Sequence, residues 1–293
     1  MDEKHKECLI NGKSLRQRDL EMAEESSLRL NVKTIESDII WHENLLEKAK
    51  NDRKKINYAF SKTPESLLND LRKKTFSNEF VNYILMNYYI CERVIKYHFI
   101  KHLKDSAHDI VAFEMSIGDS RIDICRINGK LCAYEIKTEY DNYDRLSTQM
   151  NDYFNAFEKV YIIVPKEKAD DVKKYIPSKC GIITYRKDIN NNIVFSYHRA
   201  AKEISCDIEF CLNSLSSSDL IKLLKMLNIK PLKTKDDNYT LLLNIAHKKN
   251  IWSVYRQFIK TKYVEQWNYL KENFENILPI DCQSFFSSRM DPN

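Results

Sequence analysis

Residues Asp119 to Tyr153 read DSRIDICRINGKLCAYEIKTEYDNYDRLSTQMNDY, and the fold is decided within them. Two short segments, Arg121 to Ile127 and Leu131 to Thr138, are rich in β-branched and aromatic residues and meet at Asn128-Gly129. Both residues of that dipeptide tolerate positive φ, so the stretch is a predicted β-hairpin. Its first strand carries Asp123 among isoleucines, and its second ends in Glu135-Ile136-Lys137. Strand interiors rarely hold that much charge. Two carboxylates offer hard oxygen ligands for Mg²⁺ or Mn²⁺, and a neighbouring lysine can serve a water molecule, which together are the parts needed to hydrolyse a phosphodiester.

Register decides whether those parts meet. A plain two-residue turn at Asn128-Gly129 would set Asp123 opposite Tyr134 and turn Glu135 and Lys137 to the other face. A three-residue connection, or a bulge with Gly129 in the left-handed region, shifts the pairing by one and brings Asp123, Glu135 and Lys137 onto one face. A shared cation site therefore demands an irregular turn. The other face would then present Ile122, Ile124, Cys132, Tyr134 and Ile136. The bland alternative is an exposed sheet face on which Asp123 pairs with Arg121 or Lys137.

Asp123 followed by Glu135-Ile136-Lys137 resembles the signature of the PD-(D/E)XK, or restriction-endonuclease-like, nuclease superfamily. Gln149-Met-Asn-Asp-Tyr153 is similar to the Q-x-x-x-Y element of its RecB-like subgroup, although Ile122 stands where the signature has proline. The likeness covers about Ile110 to Tyr197. It implies an α/β fold with a mixed sheet flanked by helices; helical regions at both ends are expected from the sequence pattern and not from the resemblance. It also implies a Mg²⁺ (or Mn²⁺) held by Asp123, Glu135 and the carbonyl of Ile136. Lys137 would serve the water, Gln149 would complete the catalytic set, and Tyr153 and Glu114 would be accessory. The activity implied is cleavage of nucleic acid, with DNA the expected substrate and defence or DNA processing the expected setting. A module that binds nucleic acid on the same fold without cutting it is the alternative, and a helical scaffold is a third reading.

With 293 residues, four glycines, six prolines and 30% charged residues, the chain is expected to be helix-rich around a modest sheet. A net charge of +5 permits a polyanionic partner without requiring one. The most apolar long segment, Phe80 to Leu103, is interrupted by Glu92, Arg93 and Lys96, and the first residues lack an apolar stretch. A cytoplasmic protein with no membrane span is expected. The eight cysteines include no C-x-x-C pair, so they are expected to be free thiols, with Cys91, Cys125 and Cys132 buried.

Three regions follow: a charged helical one over 1–61, the core over 62–199 and a helical domain over 200–293. In the first, Ile35, Ile39, His42, Leu46 and Ala49 recur at helical spacing, a stripe for packing on this protein or for pairing two copies of the chain. Thr63-Pro64 reads as the start of a helix reaching Lys73. A helix over Asn78 to Lys104 would bury Val81, Ile84, Tyr88, Cys91, Ile95, His98 and His102. Strands are predicted at Ile110–Ile117, Val160–Val164, Gly181–Tyr185 and Ile193–Tyr197, with a crossover helix carrying Leu146, Met150, Phe154 and Phe157 inward and a surface helix over Glu167–Tyr175. The tail suggests helices at Leu220–Leu227, Tyr239–Lys249 and Trp252–Phe274. Its bases and aromatics from Lys248 to Trp267 would suit either phosphate and base contacts or an ordinary solvated face.

Overall fold

The computed structural model describes residues 90–188, 192–279 and 281–282, with the single positions Asn82 and Met86. The predicted elements over 1–73, including the stripe read as packing on this protein or pairing two copies, lie outside the described residues. The chain divides between Ile90 and Cys91 into two compact units, and the second holds everything that follows.

Six strands form one sheet in sequence order: β1 (Ile110–Ile117), β2 (Ser120–Asn128), β3 (Lys130–Ile136), β4 (Lys159–Pro165), β5 (Gly181–Lys187) and β6 (Ile193–Arg199). The pairs β1·β2, β2·β3 and β5·β6 are antiparallel, and β3·β4 and β4·β5 are parallel. Helix α1 (Glu92–Leu103) precedes the sheet, and α2 (Leu146–Ala156) is the crossover between the first parallel pair. The structure is thus a mixed α/β fold, a six-stranded mixed sheet flanked by helices.

The long helix expected over Asn78–Lys104 is interrupted, because Ile90 and Cys91 are not helical and α1 begins afresh at Glu92 behind an extended Cys91. Its core residues are Val94, Ile95, Phe99 and Ile100. His102 is exposed and His98 half-buried, so neither belongs to the stripe as read. Burial, then Lys101 and His102, hold His98 down at about 4, so it is neutral at neutral pH. Phe99 meets the rings of Tyr134 and Phe195, which puts α1 over the face carrying Tyr134, Tyr161 and Tyr197. Helix α2 covers the opposite face and buries Leu146, Met150, Phe154 and Phe157 as its spacing requires. The surface helix expected over Glu167–Tyr175 is instead two short 3₁₀ turns, Lys166–Lys168 and Val172–Lys174. Cys132 is half-buried rather than buried, and the described cysteines are all free.

Among the described residues four helices follow the sheet: α3 (Ile208–Asn213), which the sequence did not announce, α4 (Ser217–Met226), α5 (Lys235–Lys248) and α6 (Trp252–Glu272). Their starts are chemically marked, since Asp207, Ser216 and Thr234 each accept backbone N–H bonds as N-caps. Helix α6 lies against β1 and β2, so the C-terminal helices share a compact unit with the sheet. The aromatics of α6 serve that packing: Tyr255 and Trp267 are buried, and the Trp267 indole donates 2.7 Å to the Asp109 carbonyl. Two of its bases are tied as well, Lys262 to Asp219 at 2.8 Å and Arg256 to Glu158 at 3.0 Å, while Lys260 is exposed. Among the described residues no helix is long and apolar enough to cross a membrane.

The hairpin has the irregular turn. Ile127 pairs with Leu131 and Asn128 with Lys130, leaving Gly129 at the apex with φ +67°. The connection is three residues long, and it is held from outside. Arg256 donates 2.8 Å to the Gly129 carbonyl and 3.0 Å to Glu158, whose other oxygen accepts the Leu131 N–H at 2.9 Å.

Two glycines serve different needs. A Cβ at Gly129 would meet no atom within 4 Å, so only its left-handed backbone resists substitution. At Gly181 a Cβ would fall 2.3 Å from the Tyr161 ring and 2.8 Å from the Ala201 nitrogen. We expect Gly129→Ala to cost about 1 kcal/mol, the left-handed penalty, and Gly181→Ala about 2 to 3 kcal/mol through overpacking. Urea unfolding of both variants checks the order, and a costlier Gly129→Ala would contradict this account of the turn.

Candidate functional site

The β2·β3 ladder ends at Ile124↔Tyr134. Beyond it the strands part. In that fork the Asp123 carboxylate accepts the Ile136 N–H at 2.6 Å, taking the place of a backbone carbonyl. Continuing the register, Asp123 stands opposite Glu135, and Glu114 stands between the pairs Phe113↔Ile124 and Met115↔Ile122, beside Asp123. Three carboxylates therefore line up across three adjacent strands. Glu114 does so with φ +52°, a left-handed conformation that costs a non-glycine residue on the order of 1–2 kcal/mol.

Like charges side by side on a sheet repel, so the arrangement needs cations. Lys137 follows β3, anchored by its N–H on the Ile163 carbonyl at 2.9 Å. Its ammonium lies 2.7 Å from Glu135 and 3.2 Å from the Gln149 side-chain carbonyl. From α2, the Tyr153 hydroxyl sits 2.8 Å from the second Glu135 oxygen and 2.9 Å from the Arg121 carbonyl, with the Gln149 amide nitrogen 3.5 Å away. The i, i+4 spacing of Gln149 and Tyr153 puts both on one helix face. Asp123, Glu135, Lys137, Gln149 and Tyr153, all read from the sequence, thus converge on one fork.

The structure adds two residues to them. Glu92, in the first turn of α1, brings a carboxylate oxygen within 4.8 Å of oxygens of Glu114 and Asp123, a grouping of the size that holds a metal ion. Lys96, one turn later, is 1% exposed and bonds Glu92 at 2.5 Å, Asp123 at 3.1 Å and Glu114 as well. Arg121 pairs with the other oxygen of Glu114 at 2.7 Å. Both oxygens of Glu135 are engaged by Lys137 and Tyr153, so the cation-sized group gathers around Asp123 rather than between Asp123 and Glu135. Of the acidic link after β3, Asp141 closes the loop by accepting from the N–H and hydroxyl of Thr138, and Glu139 is exposed.

Burial and the carboxylates of Glu92, Glu135 and Glu114 push Asp123 well above the ordinary range, with Lys96 opposing them. Burial likewise raises Glu135, against the pull of Lys137 and Tyr153. Burial would lower Lys137, but Glu135 overrides it and the amine is held more strongly protonated than usual. Lys137 is therefore an ammonium that donates hydrogen bonds and charge. It is not a base.

A family model described as bacteriophage P4 protein cII matches residues 86–284, about two thirds of the chain and the whole of this site. The chain belongs to that family. Protein cII of Enterobacteria phage P4 is 30% identical over 110 residues, which cover 37% of this chain and 41% of the phage protein. Among solved structures, a protein of unknown function from Silicibacter pomeroyi aligns over 44% of this chain and 86% of its own at 13% identity, with a TM-score of 0.31, too slight a likeness to build on.

The raised acids have a consequence for stability. A carboxyl whose folded pKa is elevated keeps protons that the unfolded chain gives up, so its contribution falls as pH rises past the ordinary values of 3.8 for Asp and 4.5 for Glu. We expect Asp123→Asn to raise the metal-free melting temperature, with a larger gain at about pH 8 than at about pH 5, where the native carboxyl is closer to neutral. Thermal melts at the two pH values decide this. A gain that shrinks with rising pH would mean that Asp123 is not the strained acid.

Proposed function

We propose that this protein is a metal-dependent nuclease of the PD-(D/E)XK type acting on DNA. The observation that carries the reading is the three-residue turn at Gly129, because it brings Asp123 to the same fork as Glu135 and Lys137, where Gln149 and Tyr153 meet them. A surface salt bridge would not need that irregularity, nor the burial of Asp123 and Glu135.

The residues fit a divalent cation. Hard oxygens of Glu92, Glu114 and Asp123 lie within 4.8 Å of one another, a spread that bonds of roughly 2.1 Å close with small side-chain movements. Strand geometry also turns the Ile136 carbonyl toward the β2 side, the side to which its N–H donates. Bound there, the ion would supply positive charge to a phosphate and make water more acidic. The chain's own groups do the rest. Lys137, fixed by Glu135 and Gln149, holds a charged donor toward the attacking water or a phosphate oxygen. Tyr153 buttresses Glu135, and α2 sets the angle of both.

A second reading, a DNA-binding module that does not cut, is favoured by one observation: the Lys96 ammonium lies among the carboxylates that would hold the ion. Cleavage of single- and double-stranded DNA with Mg²⁺, Mn²⁺ or EDTA separates the two. We expect cleavage with either ion and none with EDTA. Asp123→Asn, Glu135→Gln and Lys137→Ala should each lose at least about 100-fold in rate, the scale of removing one charge-stabilising group. Gln149→Ala, whose part is support, should lose about 10-fold. Salt-sensitive binding without cleavage would favour the module, and native rates in any of the three severe variants would remove the catalytic assignment.

A further inference from the structure

The ion pairs of Lys96 point past the choice between those readings. Its ammonium has three N–H donors and meets three carboxylates, those of Glu92, Glu114 and Asp123. These are the same three that form the cation-sized group. A divalent ion seated among them would stand a few ångströms from the ammonium, and in a buried setting two positive charges so placed repel strongly. Either the ammonium or the metal can hold that centre.

We propose that Lys96 is a built-in counter-ion for this site: it neutralises the carboxylates when no metal is bound, and a divalent cation enters by displacing it. This rests on the metal-dependent reading above. The geometry provides for both states. The lysine stem has four rotatable carbons and springs from α1, which starts only four residues earlier at Glu92. Glu92 is the open side of the cluster, its side chain 43% exposed against 17% for Glu114 and 11% for Asp123. The ammonium can therefore swing out past Glu92, while Arg121 continues to steady Glu114 and the Ile136 N–H continues to hold Asp123. Metal affinity is then set by the competition, and Lys96 is a positioning residue that acts through the three acids.

Two measurements test this. Calorimetric titration of Mn²⁺ into the native chain and Lys96→Met should show tighter binding by the variant, by about tenfold or more, equivalent to about 1.4 kcal/mol. Lys96→Met leaves three acids without their ammonium and could unfold without metal, so the second measurement uses the native protein. Reductive methylation, read out by mass spectrometry, should spare Lys96 in EDTA and modify it once Mg²⁺ saturates the site. Lys96→Met binding no more tightly, or Lys96 equally protected with and without Mg²⁺, overturns displacement and leaves the metal reading in place. Mn²⁺ uptake by neither protein removes both.

Discussion

The site depends on strand parity at one turn. Side chains alternate between the faces of a sheet, so a hairpin with one residue fewer in its connection would send Glu135 and Lys137 away from Asp123. Gly129, in the left-handed region, makes the longer connection cheap, and everything at the fork follows from it. Tyr153 on α2 can reach Glu135 only because Glu135 faces that helix, while Tyr134 on the opposite face packs against Phe99 of α1.

Placing several carboxylates together at the edge of a core sets a second constraint, since each buried charge must be paired or pushed toward its neutral form. The fold uses both solutions. Glu92 and Glu114 are paired with Lys96 and Arg121, and Glu135 with Lys137. Asp123 is left with a shared ammonium and one backbone N–H, and burial with the neighbouring carboxylates pushes it toward its neutral form. A site so arranged holds its acids in tension rather than at rest.

Much of this was legible in the sequence. The six strands, the parallel step after β3 and the inward face of α2 follow from hydrophobic patterning, and the need for an irregular turn follows from parity alone. Glu92 and Lys96 were not read as site residues, because they appeared as interruptions in an apolar run. The available signal was an acid–base pair at i, i+4 inside an otherwise buried helix. The break at Ile90 and Cys91 had no glycine or proline to announce it, so the sequence pattern ran straight through the point where α1 starts. Of the bases and aromatics of α6, tertiary contact accounts for some: Trp267 and Tyr255 are core, and Arg256 and Lys262 are tethered, while Lys260 is exposed.

Arg256 ties the far end of the chain to the apex of the hairpin. The helix that carries it contributes none of the residues at the fork, yet it grips the loop whose length determines which way they face. A shortened protein ending after β6 would retain Asp123, Glu135, Lys137, Gln149 and Tyr153 in sequence and lose the fastener on their alignment. The boundary of the functional unit is therefore mechanical rather than chemical, and it lies more than a hundred residues beyond the last of those five side chains.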